Sequence, residues 1–498
     1  MRADRKKKEK KKKQKTKVNV YKVLSVIYVV VLALFLVNLI RLSVLPFLYL
    51  GIVVVILAAI TVPLVKSLRS KPKEVMGEDG MPVPKKKTLS SAVAAIMIIV
   101  LAFGTFYMSG TLDFFGKISG NKQIHNFYVV VNVDSDYEKL KDIKGETVGV
   151  MVQSGEAYTN AQEKLAKKVK VEFEKVGNYD ALAGSLINEE YGAIFLNSAY
   201  YEMAIEEVDG FTTDTTRILE EITVVTSMES GSKTVNVTKD SFNMYVSGID
   251  TSGSIGNISR TDVNMIVTVN PKTRTVLLTS IPRDYYAKLG TIGEYDKLTH
   301  SGLYGIDETT ATIENLFGID INYYSRVNFT TVVNLVDALG GINVYSDYSF
   351  SAKGQDGTMY SYSAGENYIG GEEALAFCRE RKSFTEGDGQ RIKNQQAVIS
   401  GVINKVTGST AILTRYNSIL NAVESNFQTS LTQKDMTSLV KMQLGDMRGW
   451  DIRTQSVSGT GDMTPVYSIP HMSVYVMHPD QSSVVAATQA IQSVMAGE

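Results

Sequence analysis

Arginines and aspartates recur in an ordered series through the second half of the sequence: Ser259-Arg260-Thr261-Asp262, Ile281-Pro282-Arg283-Asp284, Arg379-Glu380-Arg381 and Gly387-Asp388-Gly389-Gln390-Arg391. Arginine presents a planar fork of donors that matches phosphate oxygens two at a time, and carboxylate oxygens are the ligands that hard divalent cations prefer. The series therefore suggests a pocket for a metal-bound pyrophosphate. Scattered surface charge is the blander account.

Spacing says how such residues could meet. Arg260 and Asp262 lie two apart at the start of a strand, and Arg379 and Arg381 lie two apart near the end of a segment read as extended, Ala374 to Arg381. Alternate residues of an extended segment share a face, so each pair can aim at one site. Arg391 and Gln395 are four apart at the start of a helix whose apolar face runs through Ile399, Val402, Ile403 and Val406, which makes them neighbours. Arg283 and Asp284 follow Pro282 directly after a strand, where a loop rests on a rigid support. Taken singly, each of these is most often a solvated strand edge or a polar helix flank. Their order along the chain separates them from that background.

The elements that would position them begin at a membrane. Three hydrophobic stretches, Val23 to Ile40, Leu45 to Val65 and Leu89 to Met108, each approach the ~20 residues that a spanning helix needs. Their interiors carry no charge, and Pro46 and Pro63 fall near the ends of the second. No small-residue cleavage site follows the first stretch, so it reads as a span and not a removed signal. Of the 52 basic residues 20 precede Thr88, against 5 of the 52 acidic ones. Lysine-rich flanks stay cytoplasmic: the tail 1–22 and the loop 66–88 are basic, while the connection around Ser43 offers only Arg41. Three spans over 23–109 then place everything after about residue 109 outside the cell.

The remainder has 32 basic and 47 acidic residues, so an arginine cluster within it points to a localised anion and not a nucleic-acid backbone. The lone cysteine, Cys378, can form no internal disulfide and has no evident histidine partner, so it reads as core. No zinc-type spacing occurs.

Residues 121–225 read as a small α/β accessory domain. Strand-like runs at Phe127 to Val131, Thr147 to Val150, Val171 to Val176 and Ala193 to Leu196 alternate with helical patterns near Ala161 to Lys168 and Asp180 to Leu186. Short phrases there, Leu140 to Gly145 and Ala193 to Asn197, look like one lobe of a bacterial solute-binding domain. Glu221 to Thr238 is Ser/Thr-rich and reads as the domain boundary. From about residue 240 to 498 the expectation is a second α/β domain: a hairpin of Val263 to Val269 with Thr275 to Ile281, helices at Glu308 to Phe317 and Thr330 to Leu339 closed by Gly318 and Gly340-Gly341, and strands around Ile321 to Val327 and Ile342 to Tyr345.

The runs SRTDVNMIVTVNPKTRTVLLTSIPRD, DKLTHSGLYG, INYYSRVNFTTVVNLVDALGGINVY, EEALAFCRERKS and GDGQRIKNQQ, in this order, resemble the LytR-CpsA-Psr family of Gram-positive bacteria from roughly Met244 to the C-terminus. With three spans and an accessory domain ahead of them, they look like the CpsA-type members linked to streptococcal capsule or related exopolysaccharide. The resemblance implies a three-layer α/β/α domain with a mixed central sheet. It also implies a membrane-anchored, magnesium-dependent phosphotransferase that moves a glycopolymer with its phosphate from an undecaprenyl-pyrophosphate carrier to a peptidoglycan sugar hydroxyl. Matched motif by motif, it puts Asp250 and Asp262 at Mg²⁺, and Arg260, Arg283, Arg379, Arg381, Arg391 and Gln395 around the pyrophosphate, with Lys297 a further contributor. Asp284 would orient Arg283, and Asp388 would hold the Arg391 segment. Asn394 departs from the family pattern, since a basic residue is common there, and His300 reads as packing.

The expected partners are the carrier-linked polymer, peptidoglycan, the membrane and other capsule-synthesis membrane proteins. Nucleic acid is not expected, because nothing in the lysine tail resembles a DNA-reading motif. A polyprenyl pyrophosphate phosphatase with water as acceptor, and a non-catalytic membrane regulator, are the alternatives. The lipid chain calls for an apolar tunnel, for which Val332, Val333, Leu335 and Val336 are candidates that serve equally well as core.

Overall fold

The computed structural model describes residues 20–498 apart from 72–73, 77–81, 85–86, 119–121, 153–154, 228–232, 250–254, 409–414 and 424–425. The expected metal ligand Asp250 and most of the basic tail lie outside the described residues. The chain divides into two compact units, one holding the N-terminal helices together with 437–446, the other comprising 115–436 and 447–498.

In the first unit, helices α1 (Val20–Leu42), α2 (Phe47–Arg69) and α3 (Thr88–Ile118) coincide with the three apolar stretches. Their most apolar windows have mean hydropathies of 2.9, 2.7 and 2.3, and each helix is long enough at 1.5 Å per residue to cross a hydrocarbon layer of about 30 Å. Large apolar side chains such as Ile40, Leu48, Val55 and Phe103 stand exposed, a surface suited to lipid and not to water. The few polar groups pair between helices, as in Tyr28 with Thr61 at 2.7 Å. Pro63 falls inside α2, not near its end, because the helix runs on through Lys66 to Arg69. The Lys87 ammonium donates to the carbonyls of Ser67, Leu68 and the C-cap Ser70, and so caps that extension.

The second unit begins with the accessory domain: β1 (Lys122–Asn132), β2 (Thr147–Val150), α4 (Glu156–Lys168), β3 (Glu172–Lys175), α5 (Tyr179–Ile187), β4 (Ala193–Asn197), α6 (Ser198–Glu207) and β5 (Thr216–Ser227). The sheet order is β3-β2-β4-β1-β5, with β2 parallel to both neighbours and β1 antiparallel to β4 and β5. Strand alternation sorts the core into two layers. Phe127, Val129 and Val131 pack with Tyr158, Ala161 and Leu165 of α4, while Tyr128 and Val130 face Leu182 and Leu186 of α5 and Tyr200 and Met203 of α6. The start of the Ser/Thr-rich stretch read as a boundary is instead the last half of β5. Its inward residues Ile222 and Val224 alternate with polar ones because this edge strand pairs on one side only.

The following domain is built from β6 (Phe242–Ile249), β7 (Thr261–Asn270), β8 (Thr275–Ile281), the short ribbon β9 (Tyr286–Lys288) with β10 (Tyr295–Lys297), α7 (Leu298–Ser301), α8 (Ile306–Phe317), β11 (Tyr323–Asn328), α9 (Phe329–Leu339), β12 (Ile342–Ser346), β13 (Gly365–Ile369), α10 (Gly371–Arg379), α11 (Asp388–Gly408), β14 (Phe427–Thr429), β15 (Asp451–Ser456), the hairpin β16 (Gly459–Val466) with β17 (Ile469–Pro479), and α12 (Gln481–Ala496). The six-stranded sheet runs β14-β11-β6-β7-β8-β15 and is mixed, with β6–β11 and β8–β15 parallel and the other pairs antiparallel. On one face Tyr245, Ile266 and Leu277 pack with Ile313 and Phe317 of α8 and Val484 and Ile491 of α12. Helices α9, α10 and α11 cover the other face, giving the three-layer architecture. Both α8 and α9 end at glycines in the left-handed region, Gly318 and Gly340, as their C-terminal sequences predict.

One expectation is corrected here. The Ala374 to Arg381 segment is a helix up to Arg379, not a strand: Gly370 donates its amide to Glu373 in the first turn, and the Ala-Leu-Ala-Phe run favours helix. The strand expected at Ile342 to Tyr345 is present as β12, which pairs with β13 beside the central sheet. Asn394, which departs from the family pattern, is buried, donating to the Phe377 carbonyl at 3.1 Å and accepting from Gln390, and so props α10.

Candidate active site

A cavity of about 260 Å³ opens between the sheet and helices α9, α10 and α11. Asp262, Arg283, Arg379, Arg381, Arg391 and Gln395 all line it, gathered from five elements and loops spread over more than 130 positions of sequence. Its remaining wall is apolar: Val246, Ile249 and Val263 from the sheet, Phe329 and Val332 from α9, Leu375 from α10, and Val398 and Ile399 from α11. Of the four tunnel candidates, Val332 reaches the cavity; Val336 is fully buried, and Leu335 packs with it in the core beneath.

A β-bulge delivers Asp262. In the β6–β7 pairing Gly248 opposes Val263 and Ile249 opposes Thr261, which leaves Asp262 as the extra residue on β7. Bulges re-aim side chains and break the two-residue alternation, and here the consecutive residues Asp262 and Val263 both face the cavity. Gly248 is required by the same feature, since a Cβ there would come within 2.7 Å of the Val263 Cβ. The bulge also overturns the expectation that Arg260 and Asp262 share a face. Arg260 does not line the cavity, and its Nη1 and Nη2 donate to the two carboxylate oxygens of Glu206 on α6, at 2.7 and 2.9 Å.

Asp262 accepts from Thr299 at 3.2 Å and forms an ion pair with Arg283 at 3.1 Å. Burial works to raise its pKa, but Arg283, Arg260 and Arg391 outweigh that and hold the carboxyl below the usual carboxylate range. Arg283 is held in turn: Asp284 lies 3.7 Å from its Nε and takes Lys297 at 2.5 Å. Lys297 thus spends its charge on Asp284 and does not line the cavity. Arg391 pairs with Asp388 one helical turn away at 2.8 Å. Arg379 sits 4.4 Å above the Phe329 ring, and among the described residues neither it nor Arg381 has an ion pair.

Phe329 and Asn328 are functional-wall residues that residue types alone did not single out, although both lie inside the quoted INYYSRVNFTT run. The detectable signal was an aromatic residue directly after a strand, at a helix start. Cys378 also lies on the wall, and burial pushes its thiol up to about 12, which keeps it protonated and unreactive. His300 is buried, with Nδ1 2.8 Å from both Asp296 and Ser468, a packing role.

Four guanidinium groups against a single described carboxylate leave the lining strongly cationic. The Nε groups of Arg283 and Arg391 are buried without a hydrogen-bond partner, the first with the Asp284 carboxylate 3.7 Å away. Buried donors are satisfied in native proteins, and an anion in the cavity would supply an acceptor for Arg391. For a divalent cation the donor set is lean: no cluster of three His, Cys, Asp or Glu occurs among the described residues. That set nonetheless fits Mg²⁺, which takes one or two carboxylates and completes its shell with water and substrate phosphate oxygens.

Fold and site together define an α/β domain with a cationic, partly apolar cavity, on a chain whose first helices are long and apolar enough to cross a membrane. The LytR_cpsA_psr family profile matches residues 211–490, more than half of the sequence, and the chain belongs to that family. Among its relatives is "Polyisoprenyl-teichoic acid--peptidoglycan teichoic acid transferase TagU" of Bacillus subtilis, 34% identical over 255 residues, covering 51% of this chain and 78% of the relative. The protein of the same name from Bacillus licheniformis is 37% identical over 198 residues, covering 40% of this chain and 62% of the relative. The crystal structure of B. subtilis TagU covers 52% of this chain and 97% of its own, at 33% identity and a TM-score of 0.40.

Proposed function

We propose that this chain is a membrane-anchored phosphotransferase that moves a glycopolymer, with one phosphate, from a polyprenyl pyrophosphate carrier to a sugar hydroxyl of peptidoglycan. The observation that carries this reading is the composition of one cavity: arginines and Asp262 on one part of its lining, aliphatic and aromatic side chains on the rest. Such a lining matches a ligand with a charged diphosphate head and a hydrocarbon tail. The relatives' names describe a transfer from a polyisoprenyl-linked polymer to peptidoglycan. The polymer is of the capsule or exopolysaccharide class, as the CpsA-type arrangement of three spans and an accessory domain suggests. Basic flanks hold the N-terminus in the cytoplasm and place the catalytic domain outside, where peptidoglycan lies.

In the reaction the acceptor oxygen forms a bond to the phosphorus that carries the glycan. The bond from that phosphorus to the bridging oxygen breaks, prenyl phosphate leaves, and the acceptor hydroxyl gives up its proton. Arg283, Arg379, Arg381 and Arg391 offset the diphosphate charge so that an oxygen nucleophile can approach, and they stabilise the charge gathering on the leaving phosphate. At an effective dielectric near 20, one unit charge about 4 Å from a phosphate oxygen contributes roughly 4 kcal/mol before desolvation is subtracted. Gln395 supplies a neutral donor at the same lining, and the apolar wall excludes water from the tail side. Asp262 would hold Mg²⁺, which when bound draws charge from the phosphate oxygens.

Full-length protein in detergent, given a polyprenyl-pyrophosphate-linked oligosaccharide and peptidoglycan fragments, tests this reading. The expected product is a phosphodiester-linked conjugate, lost on Arg379→Ala. Inorganic phosphate and free polymer without conjugate would make the protein a phosphatase instead.

A further inference from the structure

Arg260 stands apart from the other arginines of the series. Its fork, which matches two phosphate oxygens, is already occupied by a carboxylate from another domain: Nη1 and Nη2 each donate to one oxygen of Glu206. Glu206 is presented from a firm base. Helix α6 seats Tyr200, Tyr201, Met203 and Ala204 in a core shared with Ile258, Leu303, Val466, Ile469 and Val476 of the catalytic domain. The next carboxylate along, Glu207, is engaged by the Tyr179 hydroxyl and is not the partner. The Arg260 side chain retains about a quarter of its exposure and that of Glu206 about half, so the pair is open to exchange with solvent.

We infer that Glu206 is a positioning residue contributed by the accessory domain, which holds Arg260 back from the cavity lining and competes with the carrier diphosphate for its guanidinium. This rests on the reading of the cavity as a pyrophosphate site. The carboxylate offers the fork two oxygens and one negative charge; a diphosphate offers more of both, so an arriving head group can draw Arg260 across. The accessory domain thereby tunes how tightly the catalytic domain retains its carrier. No bond to carbon or phosphorus changes in this exchange.

Binding of farnesyl pyrophosphate to the full chain in detergent tests it. Glu206→Gln removes the competing charge at nearly constant shape and is expected to tighten binding about two- to fivefold, the range of a partly exposed ion pair. Glu206→Asp keeps a carboxylate and is expected to return affinity towards that of the parent. In an Arg260→Ala background Glu206→Gln is expected to change nothing. Weaker or unchanged binding by Glu206→Gln, or the same gain without Arg260, would overturn the inference; a purely structural contact would move all three variants alike. If the parent chain failed to bind farnesyl pyrophosphate, or Arg379→Ala bound it as well as the parent, the underlying reading of the cavity would fall, and that result is distinct from the first.

Discussion

The accessory and catalytic domains are both α/β sandwiches around mixed sheets, yet they treat positive charge in opposite ways. In the accessory domain cations are spent locally: Lys168 on Glu220, and Arg217 on the carbonyls of Ser135 and Tyr137. In the catalytic domain Arg283, Arg379, Arg381 and Arg391 converge on one cavity with Asp262 as the only described carboxylate in its lining. Of these, Arg283 is paired with Asp262 and Arg391 with Asp388, while Arg379 and Arg381 stand exposed without an ion pair among the described residues, so that a ligand anion can supply their missing charge. Arg260 lies on the border between the two styles, in the catalytic sequence but neutralised by the accessory domain.

That contrast can be broken most sharply at the cavity. Replacing Arg379 by Ala should lower transfer by roughly 100-fold or more, as removal of a preorganised donor at developing charge does, while the melting temperature stays near that of the parent. A comparable loss of stability would instead make Arg379 a structural cation. Asp262→Asn should also abolish most transfer, while Arg283, which keeps Asp284 beside its Nε, stays available to the diphosphate, so that binding persists as transfer is lost. Transfer near the parent rate in that variant would place Asp262 outside the machinery.

The next largest effect lies beneath the charges. Gly248→Ala forces a Cβ against Val263 and should cost about 1–3 kcal/mol in chemical denaturation, with transfer falling as the bulge that aims Asp262 relaxes. Leu219→Ala, at the extra residue of the accessory-sheet bulge opposite Val129 and Val130, should cost stability without a specific loss of transfer by the folded fraction.

How much of this was legible in the sequence follows from the same physics. The spans, the hairpin of β7 and β8, and the glycine ends of α8 and α9 rest on local signals, namely apolar runs, a turn tetrapeptide and left-handed caps, and these could be read directly. The convergence of Asp262, Arg283, Arg379, Arg381, Arg391 and Gln395 was legible only as an ordered series of motifs, since no local rule brings Arg391 to Asp262. One local rule misled in two places. Two-residue alternation was applied to Arg260 and Asp262, where a bulge cancels it, and to Arg379 and Arg381, which both reach the cavity although a helix ends between them. Glu206 could not be found in this way, because its meaning depends on a domain contact with no periodic signature.

The smallest expected effect concerns Cys378. Its folded pKa is raised above that of an unfolded thiol, so burial contributes stability below the unfolded value, and that contribution is lost as pH rises through about 9 towards 12. At pH 8 iodoacetamide should label Cys378 slowly in the folded protein and rapidly in denaturant. Fast labelling of the folded chain would mean that the cavity wall is wetter than described.

One cavity that accepts charge and hydrocarbon together is the central feature of this domain. Calorimetric titration of the full chain in detergent with farnesyl pyrophosphate, inorganic pyrophosphate and farnesol measures this directly. Farnesyl pyrophosphate should bind more tightly than either fragment, Arg379→Ala should weaken it together with pyrophosphate, and Val332→Asn should weaken it while leaving pyrophosphate binding much less affected. Equal affinity for all three ligands, or indifference to both substitutions, would contradict it.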